Sequence, residues 1–228
     1  MGIVNVTPDS FSDGGKYYNL ESAYNHTLKL IGDGADIIDV GGESSRPGAL
    51  PITLNEELER TIPLVNKIHN HSPNTIISID TTKSEVAEQA VLSGANIIND
   101  ISGLTNDNRM ARIVSKYNTP VVIMHMKGNP KNMQNHPTYS DLIGEIKVFF
   151  DNQIEFATKK GIKKDQIILD PGIGFGKSFE DNFKLINQLD KFCKLGFPIL
   201  IGPSRKSFIG EALNEGIEKR LEGTGAAV

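Results

Sequence analysis

The stretch DGADIIDV, residues 33–40, contains the pattern that decides the fold. A glycine suited to the end of a helix is followed by Ala35, a short apolar run and an acidic residue. SGANIIND, residues 93–100, repeats this pattern almost position for position. Its apolar residues do not alternate with polar ones, which is typical of a strand buried on both faces of a parallel sheet. Each copy therefore predicts the end of a helix and the start of a buried strand.

Apolar runs of this kind recur along the whole chain, and segments with helical periodicity separate them. The predicted strands are GIVNV (2–6), DIIDV (36–40), TIISID (75–80), NIIND (96–100), PVVIMH (120–125), IILD (167–170) and PILIG (198–202). The predicted helices include ESAYNHTLKLIGDG, ITLNEELERTIPLVNKIHN, KSEVAEQAVLSGA and YSDLIGEIKVFFDNQIEFATKKG. Strands that alternate with helices indicate an α/β fold. No linker or change of composition divides residues 1–228, so we expect a single domain.

Polar side chains at the strand ends distinguish two α/β architectures. They close all seven runs: Asn5, Asp39, Asp80, Asn99, His125, Asp170 and Ser204. A doubly wound sheet gathers its ligand groups at one switch point, whereas a (β/α)8 TIM barrel brings all strand ends around one mouth. Asp and Asn also cap helices and begin turns, but seven in succession favour the barrel. Because only seven strands precede the last helical segment, 218–228, we expect a fragment that lacks the rest of that helix, the eighth strand and its following helix.

Composition and charge limit the classes of function. The chain has 228 residues, of which 38% are hydrophobic and 23% charged, as in globular domains. A net charge of −4 without basic runs gives no general attraction to nucleic acid or anionic membranes, so we expect neither as a partner. No apolar run approaches the roughly 20 residues of a membrane span, and a secretory signal pattern is absent, which predicts a cytoplasmic protein. Cys193, the only cysteine, excludes an internal disulfide and is expected to pack in a helix.

Two loops after strands contain groups that suit an anionic ligand. GGESSRPG (41–48) places Arg46 beside hydroxyl groups, and a guanidinium binds phosphate or carboxylate through forked donors. GPSRKSF (202–208) places several polar groups at a helix start, where anions are stabilised. Arg205 and Lys206 are adjacent and cannot easily face one site together, so we expect one of them to point outward. No histidine spacing fits a zinc site.

PGIGFGKS (171–178) is similar to a phosphate-binding loop of nucleotide-binding proteins. Such a loop requires a glycine five positions before its Gly-Lys pair, and this chain has Pro171 there. Proline has no N–H group to offer a phosphate. The sequence therefore argues against binding of ATP or GTP and leaves Lys177 without a role.

Seven motifs, in this order, resemble those of dihydropteroate synthases of folate biosynthesis. They are MGIVNVTPDSFSDGG, IIDVGGESSRPG, SIDTTK, IINDISG, VVIMHMKGNP, ILDPGIGFGKS and IGPSRKSFIG, and the similarity covers almost all of the chain. The resemblance implies a (β/α)8 barrel, usually a homodimer. It also implies condensation of 6-hydroxymethyl-7,8-dihydropterin pyrophosphate with p-aminobenzoate, release of pyrophosphate, a requirement for Mg²⁺ and inhibition by sulfonamides, which mimic the aminobenzoate.

The resemblance also implies roles for individual residues. The pterin would be bound by Asp80, Asn99, Asp170 and Lys206. The p-aminobenzoate would be bound by Phe11, Pro47, Phe175, Lys206 and Ser207. Pyrophosphate would contact Asn5 and Arg46, and Asn5 would also be a ligand of Mg²⁺. The catalytic residues would be Asp80, Lys206 and Arg46, with the Asp80 carboxylate stabilising a pterin methylene cation after pyrophosphate has left.

The chain departs from the family pattern in two places, and two other functions stay open. It stops before the Arg-x-His pair that binds pyrophosphate in the family, and it has Ser45 where many members have threonine. One alternative is the pterin- or methyltetrahydrofolate-binding module of a corrinoid methyltransferase, which would not need the full TPDSFSDGG or SRKSF stretches. The other is a non-catalytic remnant that binds a pterin.

Overall fold

Six parallel strands form one sheet in the computed structural model, which describes residues 1–7, 20–46, 48–134 and 137–228. The strands are β1 (Gly2–Asn5), β2 (Ile37–Gly41), β3 (Ile76–Asp80), β4 (Ile97–Asp100), β5 (Val121–Met124) and β6 (Ile167–Asp170). Each strand pairs with the next one along the chain. This sequential order is that of a (β/α)8 barrel and not of a doubly wound sheet, whose order reverses. It confirms the predicted fold class, although no pairing within the described residues closes the sheet onto β1.

Helices connect the successive strands. They are α1 (Leu20–Gly32), α2 (Leu54–His71), α3 (Ser84–Leu92), α4 (Met110–Tyr117), α5 (Leu142–Lys159), α6 (Phe179–Asn187), α7 (Asp190–Cys193), α8 (Ser207–Leu213) and α9 (Leu221–Ala226). The four helices predicted from periodicity are confirmed as α1, α2, α3 and α5. Side-chain caps fix three of the helix starts described: Thr53 accepts from Glu56 N at 3.3 Å, Asp141 from Gly144 N at 3.2 Å and Ser178 from Asp181 N at 3.1 Å. None of the helices described is long and apolar enough to cross a membrane.

The seventh predicted strand is present only as an isolated bridge beside β6. Leu169 N donates to Pro198 O and Leu200 N donates to Leu169 O, both at 2.9 Å. Pro198 has no N–H group and cannot extend the ladder. The carbonyl of Asp170, the next residue of β6, faces β5 instead, where it accepts from His125 N. The prediction of a strand over 198–202 is therefore wrong in extent, although the segment lies where a seventh strand belongs.

The two faces of the sheet differ in chemistry. One face packs against the helices and is apolar and fully buried, with core residues Val4, Ile38, Val40, Ile77, Ile79, Ile98, Val121, Ile123, Ile167 and Leu169. Side chains alternate along a strand, so the intervening residues point to the other face. Those residues include Asn5, Asp39, Ser78, Asp80, Asn99 and Asp170. The polar strand ends therefore share the face that the helices leave free.

The short helix α7 corrects one expectation about the core. Phe192 is fully buried and meets the ring of Phe150 edge-to-face, with 6.0 Å between centroids. Cys193, the next residue, is exposed. The prediction that Cys193 packs inside is wrong, because its larger neighbour occupies the inward position on this single turn.

Phe150 should be one of the most sensitive core positions. It is fully buried between the rings of Phe149 and Phe192. Phe150→Ala should lower the free energy of unfolding by about 3–5 kcal/mol, because it loses apolar burial and leaves a cavity. Val148→Ala, at a 59% exposed position of the same helix, should change it by less than about 0.5 kcal/mol. Urea denaturation followed by circular dichroism measures both, and equal losses would contradict this account of the core.

Candidate active site

A row of residues at the carboxyl ends of neighbouring strands forms the first half of the site. Gly41 pairs in register with Asn5 on one side and with Asp80 on the other, and Asp80 pairs with Asn99. A Cβ atom at Gly41 would lie 3.4 Å from Asp80 Oδ2 and 3.6 Å from Asn5 Oδ1. The two oxygens therefore border the space that the missing side chain leaves. The structure brings Asn5, Asp80 and Asn99 together, while their roles as ligands stay predictions.

Asp39 and Ser78 lie one layer deeper on the same face. Asn99 Nδ2 donates to Asp39 Oδ2 at 3.1 Å, and burial raises the pKa of Asp39. Asp39 Oδ1 and Ser78 Oγ are buried without a hydrogen-bond partner in the described part of the chain. Ser78 is the register neighbour of Asp39, and its hydroxyl group opposes the rise of the Asp39 pKa, so these two side chains face each other.

The environment of Asp80 favours its neutral form in the free protein. Burial raises the pKa of this carboxyl group well above its usual value, and nearby acidic groups raise it further. These groups are Asp39, Glu57, Asp100 and Glu43. A ligand that brings N–H donors or a positive charge would favour the carboxylate instead. The site is thus suited to an electron-poor, donor-rich heterocycle.

Asp170 and Lys206 form the second half of the site. Gly172 N donates to Asp170 Oδ1 at 2.7 Å; burial raises the pKa of Asp170, and the charge of Lys206 opposes this. Lys206 Nζ donates to Ile173 O and lies 4.3 Å from the centroid of the Phe175 ring. Burial lowers the pKa of Lys206 to about 8, against the attraction of Asp170. The structure therefore brings together Asp170, Phe175 and Lys206, three of the predicted ligand-binding residues.

The backbone around Lys206 explains its direction. Arg205 has a positive φ of 49° and is exposed, so its side chain leaves the site, which confirms that one of the two adjacent cations points outward. Gly174 has a φ of +80°, and a Cβ atom there would lie 2.7 Å from Lys206 Cδ. Only glycine fits where the aliphatic part of Lys206 crosses this loop.

Lys177, the lysine of the phosphate-loop pattern, is buried and bound to backbone carbonyl groups. It is only 2% exposed, and its Nζ donates to the carbonyl oxygens of Phe175 (2.8 Å), Gly172 (3.1 Å) and His125 (3.2 Å). Nζ also lies 3.1 Å from His125 Nδ1. Lys177 therefore binds the turn's own carbonyls rather than a phosphate.

Two clefts open beside these groups, and they separate some of the predicted ligands. A cleft of about 470 Å³ lies beside Asp80 and extends to Ser45, Lys83 and Pro130. A second cleft of about 320 Å³ contains Ser207, together with Lys177. The structure thus does not bring Ser207 into the cleft of Asp80. Arg46 is exposed on its loop. The predicted aminobenzoate contacts Phe11 and Pro47 lie outside the described residues.

Sequence reasoning missed a group of ionisable residues beside the larger cleft. Glu57 is 1% exposed and lies on α2, whose other buried residues are Thr61, Leu64, Val65 and Ile68. Glu57 thus occupies a position in an apolar stripe of helical spacing. An acidic residue in such a stripe is a signal that could have revealed it. Its partners Thr81 and Lys83 follow the strand that ends in Asp80.

The donor set at Asn5 fits a lightly held magnesium ion. No group of three or more His, Cys, Asp or Glu side chains is placed to hold a metal among the residues described. Mg²⁺ normally keeps several waters and binds through one or two protein oxygens plus substrate phosphates. The exposed amide of Asn5, with its oxygen facing the gap over Gly41, suits that partial ligation.

Known proteins match the chain over nearly its whole length. Residues 1–228 match the family described as pterin binding enzyme. The dihydropteroate synthase of Synechocystis is 49% identical over 227 residues, which cover 99% of this chain and 78% of that protein. The Yersinia pestis dihydropteroate synthase, solved with a sulfonamide drug complex, has a TM-score of 0.93 at 42% identity, with 99% and 82% of the two chains covered. The Xanthomonas albilineans enzyme with 4-aminobenzoic acid has a TM-score of 0.92 at 44% identity, with 99% and 80% covered.

A parallel β/α sheet with acidic and amide groups at its strand ends defines the class of this protein, and the chain belongs to the pterin-binding enzyme family. Within that family its similarity, in sequence and in structure, is to the dihydropteroate synthases, transferases of folate biosynthesis. These findings support that function and do not favour the corrinoid methyltransferase module.

Removal of the Lys177 amine should change how stability depends on pH. Burial lowers the pKa of Lys177 to about 7, whereas an unfolded lysine titrates near 10.4. Between about pH 7 and about pH 10.4 the unfolded chain holds one more proton than the folded protein, so the stability of the wild type rises with pH. Lys177→Met lacks this group, and its stability does not rise in the same way. The difference in unfolding free energy between wild type and variant should therefore grow from pH 7 to pH 10. Urea titrations at pH 6, 7.5 and 9 measure it.

Lys184→Met on α6, at an exposed position, is the matched control for that experiment. Its stability difference from wild type should stay constant over the same pH range. A Lys177→Met difference that is equally constant would contradict the buried environment described for Lys177.

Proposed function

We propose that this protein joins 6-hydroxymethyl-7,8-dihydropterin pyrophosphate to p-aminobenzoate, with the residues of the two half-sites in the roles below. The single observation that carries the proposal is that Asp80, Asn99 and Asp170 lie on one free face of the sheet, with Lys206 reaching from the start of α8 toward Asp170. The ligands of similar structures, a sulfonamide drug and 4-aminobenzoic acid, support it.

The pterin is held by complementary hydrogen bonds. Asp80 and Asp170 are acceptors for its N–H groups, and the Lys206 ammonium is a donor for the ring carbonyl. Asn99 donates one Nδ2 hydrogen to Asp39. This hydrogen bond orients the Asn99 amide and leaves its Oδ1 available as an acceptor. The Asp39 contact thereby fixes which end of the Asn99 amide meets the ligand.

The aminobenzoate lies against Phe175 and Lys206. The Lys206 ammonium already sits over the Phe175 ring, so an aromatic acid entering there meets both an apolar surface and a cation. Ser207, exposed at the start of α8, is the proposed contact for the carboxylate of the substrate. Phe11 and Pro47 complete this proposed set.

The pyrophosphate is met by Arg46 and Asn5. Arg46 is exposed on the loop after β2, where its guanidinium can approach phosphate oxygens in the fork geometry. Asn5 offers its amide oxygen to Mg²⁺, which when bound supplies charge neutralisation to the departing pyrophosphate.

We also propose that the enzyme acts in the cytoplasm as a homodimer, without nucleic-acid or membrane partners. The family resemblance and the net charge of −4 support this.

In the proposed reaction the C–O bond to pyrophosphate breaks first and the C–N bond to the aniline nitrogen forms second. Positive charge develops on the pterin methylene between these steps. The charged form of Asp80 is stabilised most when this cation is present. Without a cation nearby, burial and the acidic neighbours of Asp80 disfavour its negative charge. The nucleophile is a neutral amine and requires no strong base.

The charge of Asp80 is testable with an isosteric substitution. Asp80→Asn should slow the cleavage of pterin pyrophosphate in a single turnover by about 100-fold or more, because the developing cation loses its counter-charge. Rapid-quench measurement of pyrophosphate release reports the step directly. Asp33→Asn, at an exposed carboxylate paired with Lys29, is the control and should leave the rate unchanged.

An unchanged cleavage rate in Asp80→Asn would exclude the proposed role of this carboxylate. Wild-type protein that binds the pterin but releases no pyrophosphate with both substrates present would instead favour a non-catalytic pterin-binding protein.

A further inference from the structure

An ion-pair cluster around the buried Glu57 lies beside Asp80 and has no place in the reaction described above. The carboxylate of Glu57 accepts from Thr81 Oγ1 at 2.5 Å and from Lys83 Nζ. Lys83 Nζ also donates to Glu43. Lys83 therefore joins the loop after β2 to helix α2 through two carboxylates. We refer to Glu43, Glu57, Thr81 and Lys83 as the Lys83 cluster.

Glu43 closes the base of the loop that contains Arg46. Its Oε2 accepts both from Lys83 Nζ and from Ile52 N, the latter at 3.4 Å. Glu43 lies near the start of the loop and Ile52 near its end, so one carboxylate oxygen ties the two ends together. Between them the chain makes a backbone bond from Gly48 N to Pro130 O at 3.1 Å.

The start of this loop packs closely against α2. A Cβ atom at Gly42 would lie 2.8 Å from Thr61 Cγ2 and 3.1 Å from Glu57 Cγ. Arg60 Nη1 also donates to Gly42 O at 2.8 Å. A displacement of the Lys83 cluster would therefore be passed directly to the loop.

We propose that Glu43 and Lys83 are positioning residues, whose ion pair holds the loop 42–53 so that Arg46 meets the pyrophosphate beside the cleft of Asp80. The inference rests on the proposed function, because it assigns Arg46 to that ligand. Glu43 and Lys83 touch neither substrate in this role. Their contribution is orientation: they hold Arg46 where its guanidinium can bind the pyrophosphate group when the substrate enters.

Glu43→Gln separates positioning from folding. The substitution weakens the tie to the loop but leaves Lys83 paired with Glu57, so no buried charge is left alone. We expect about a tenfold rise in KM for the pterin pyrophosphate, a kcat within about threefold of wild type and a nearly unchanged melting temperature. Glu88→Gln removes an outer ion pair with Lys116 and should leave all three quantities unchanged.

Substitutions of Lys83 test whether it acts through Glu43. Lys83→Met should raise the same KM about tenfold, and Lys83→Arg, which keeps a cation able to bridge two carboxylates, should restore most of it. The double variant Glu43→Gln/Lys83→Met should be no worse in KM than Lys83→Met alone, because both changes break one contact. Additive effects on KM would overturn the proposal, as would a normal KM in Glu43→Gln.

Hydrogen exchange gives a readout that does not depend on turnover. In substrate-free protein, Glu43→Gln should accelerate exchange of the amides of Gly48 and Ile52 about tenfold, while peptides from β3 and α2 stay protected. Unchanged exchange would overturn the inference even if KM rises. Should wild-type protein release no pyrophosphate, the proposed function fails, and the exchange result alone decides whether the pair closes the loop.

Discussion

Burial of carboxylates at the carboxyl end of the sheet is the constraint on which the rest of the site depends. Asp39, Asp80 and Asp170 are drawn out of water, and burial raises the pKa of each. A buried charge persists only with donors or an opposite charge nearby. Asn99, Gly172 N and Lys206 supply these for two of the three. Asp80 makes no such pairing that the structure shows, and it is the carboxyl group left for the substrate.

The same constraint explains why the loops around the site are joined to one another. Three lysines take acceptors from neighbouring segments. The half-buried Lys206 takes its acceptor from the turn after β6, the buried Lys177 from residues after β5 and β6, and the half-buried Lys83 from the loop after β2 and from α2. The polar contacts therefore make a chain of adjacent loops, and the ligand groups are held before any substrate arrives. Preorganised dipoles and charges of this kind stabilise developing charge without rearrangement.

The sequence predicted local features well and distant pairings poorly. Uninterrupted β-branched runs identified six strands, and strand-end acids and amides indicated the candidate site, because each signal is contained in a few consecutive residues. Phe192 rather than Cys193 fills the core, since one turn of helix leaves the inward side to local packing. The burial of Lys177 and Glu57 depends on partners up to 52 positions away, His125 among them, and no local pattern encodes that distance.

Gly41 has a consequence for how the enzyme could change. Its neighbours stand at ordinary van der Waals distance from a hypothetical methyl group, so alanine would be accommodated by strand β2 without displacing the backbone. That methyl would nevertheless fill the gap between the Asn5 and Asp80 oxygens. Gly41→Ala would thus be tolerated by the fold and would still block the space between these two oxygens. At this position a single added methyl group would narrow the space beside Asn5 and Asp80 in which the proposed pyrophosphate departs.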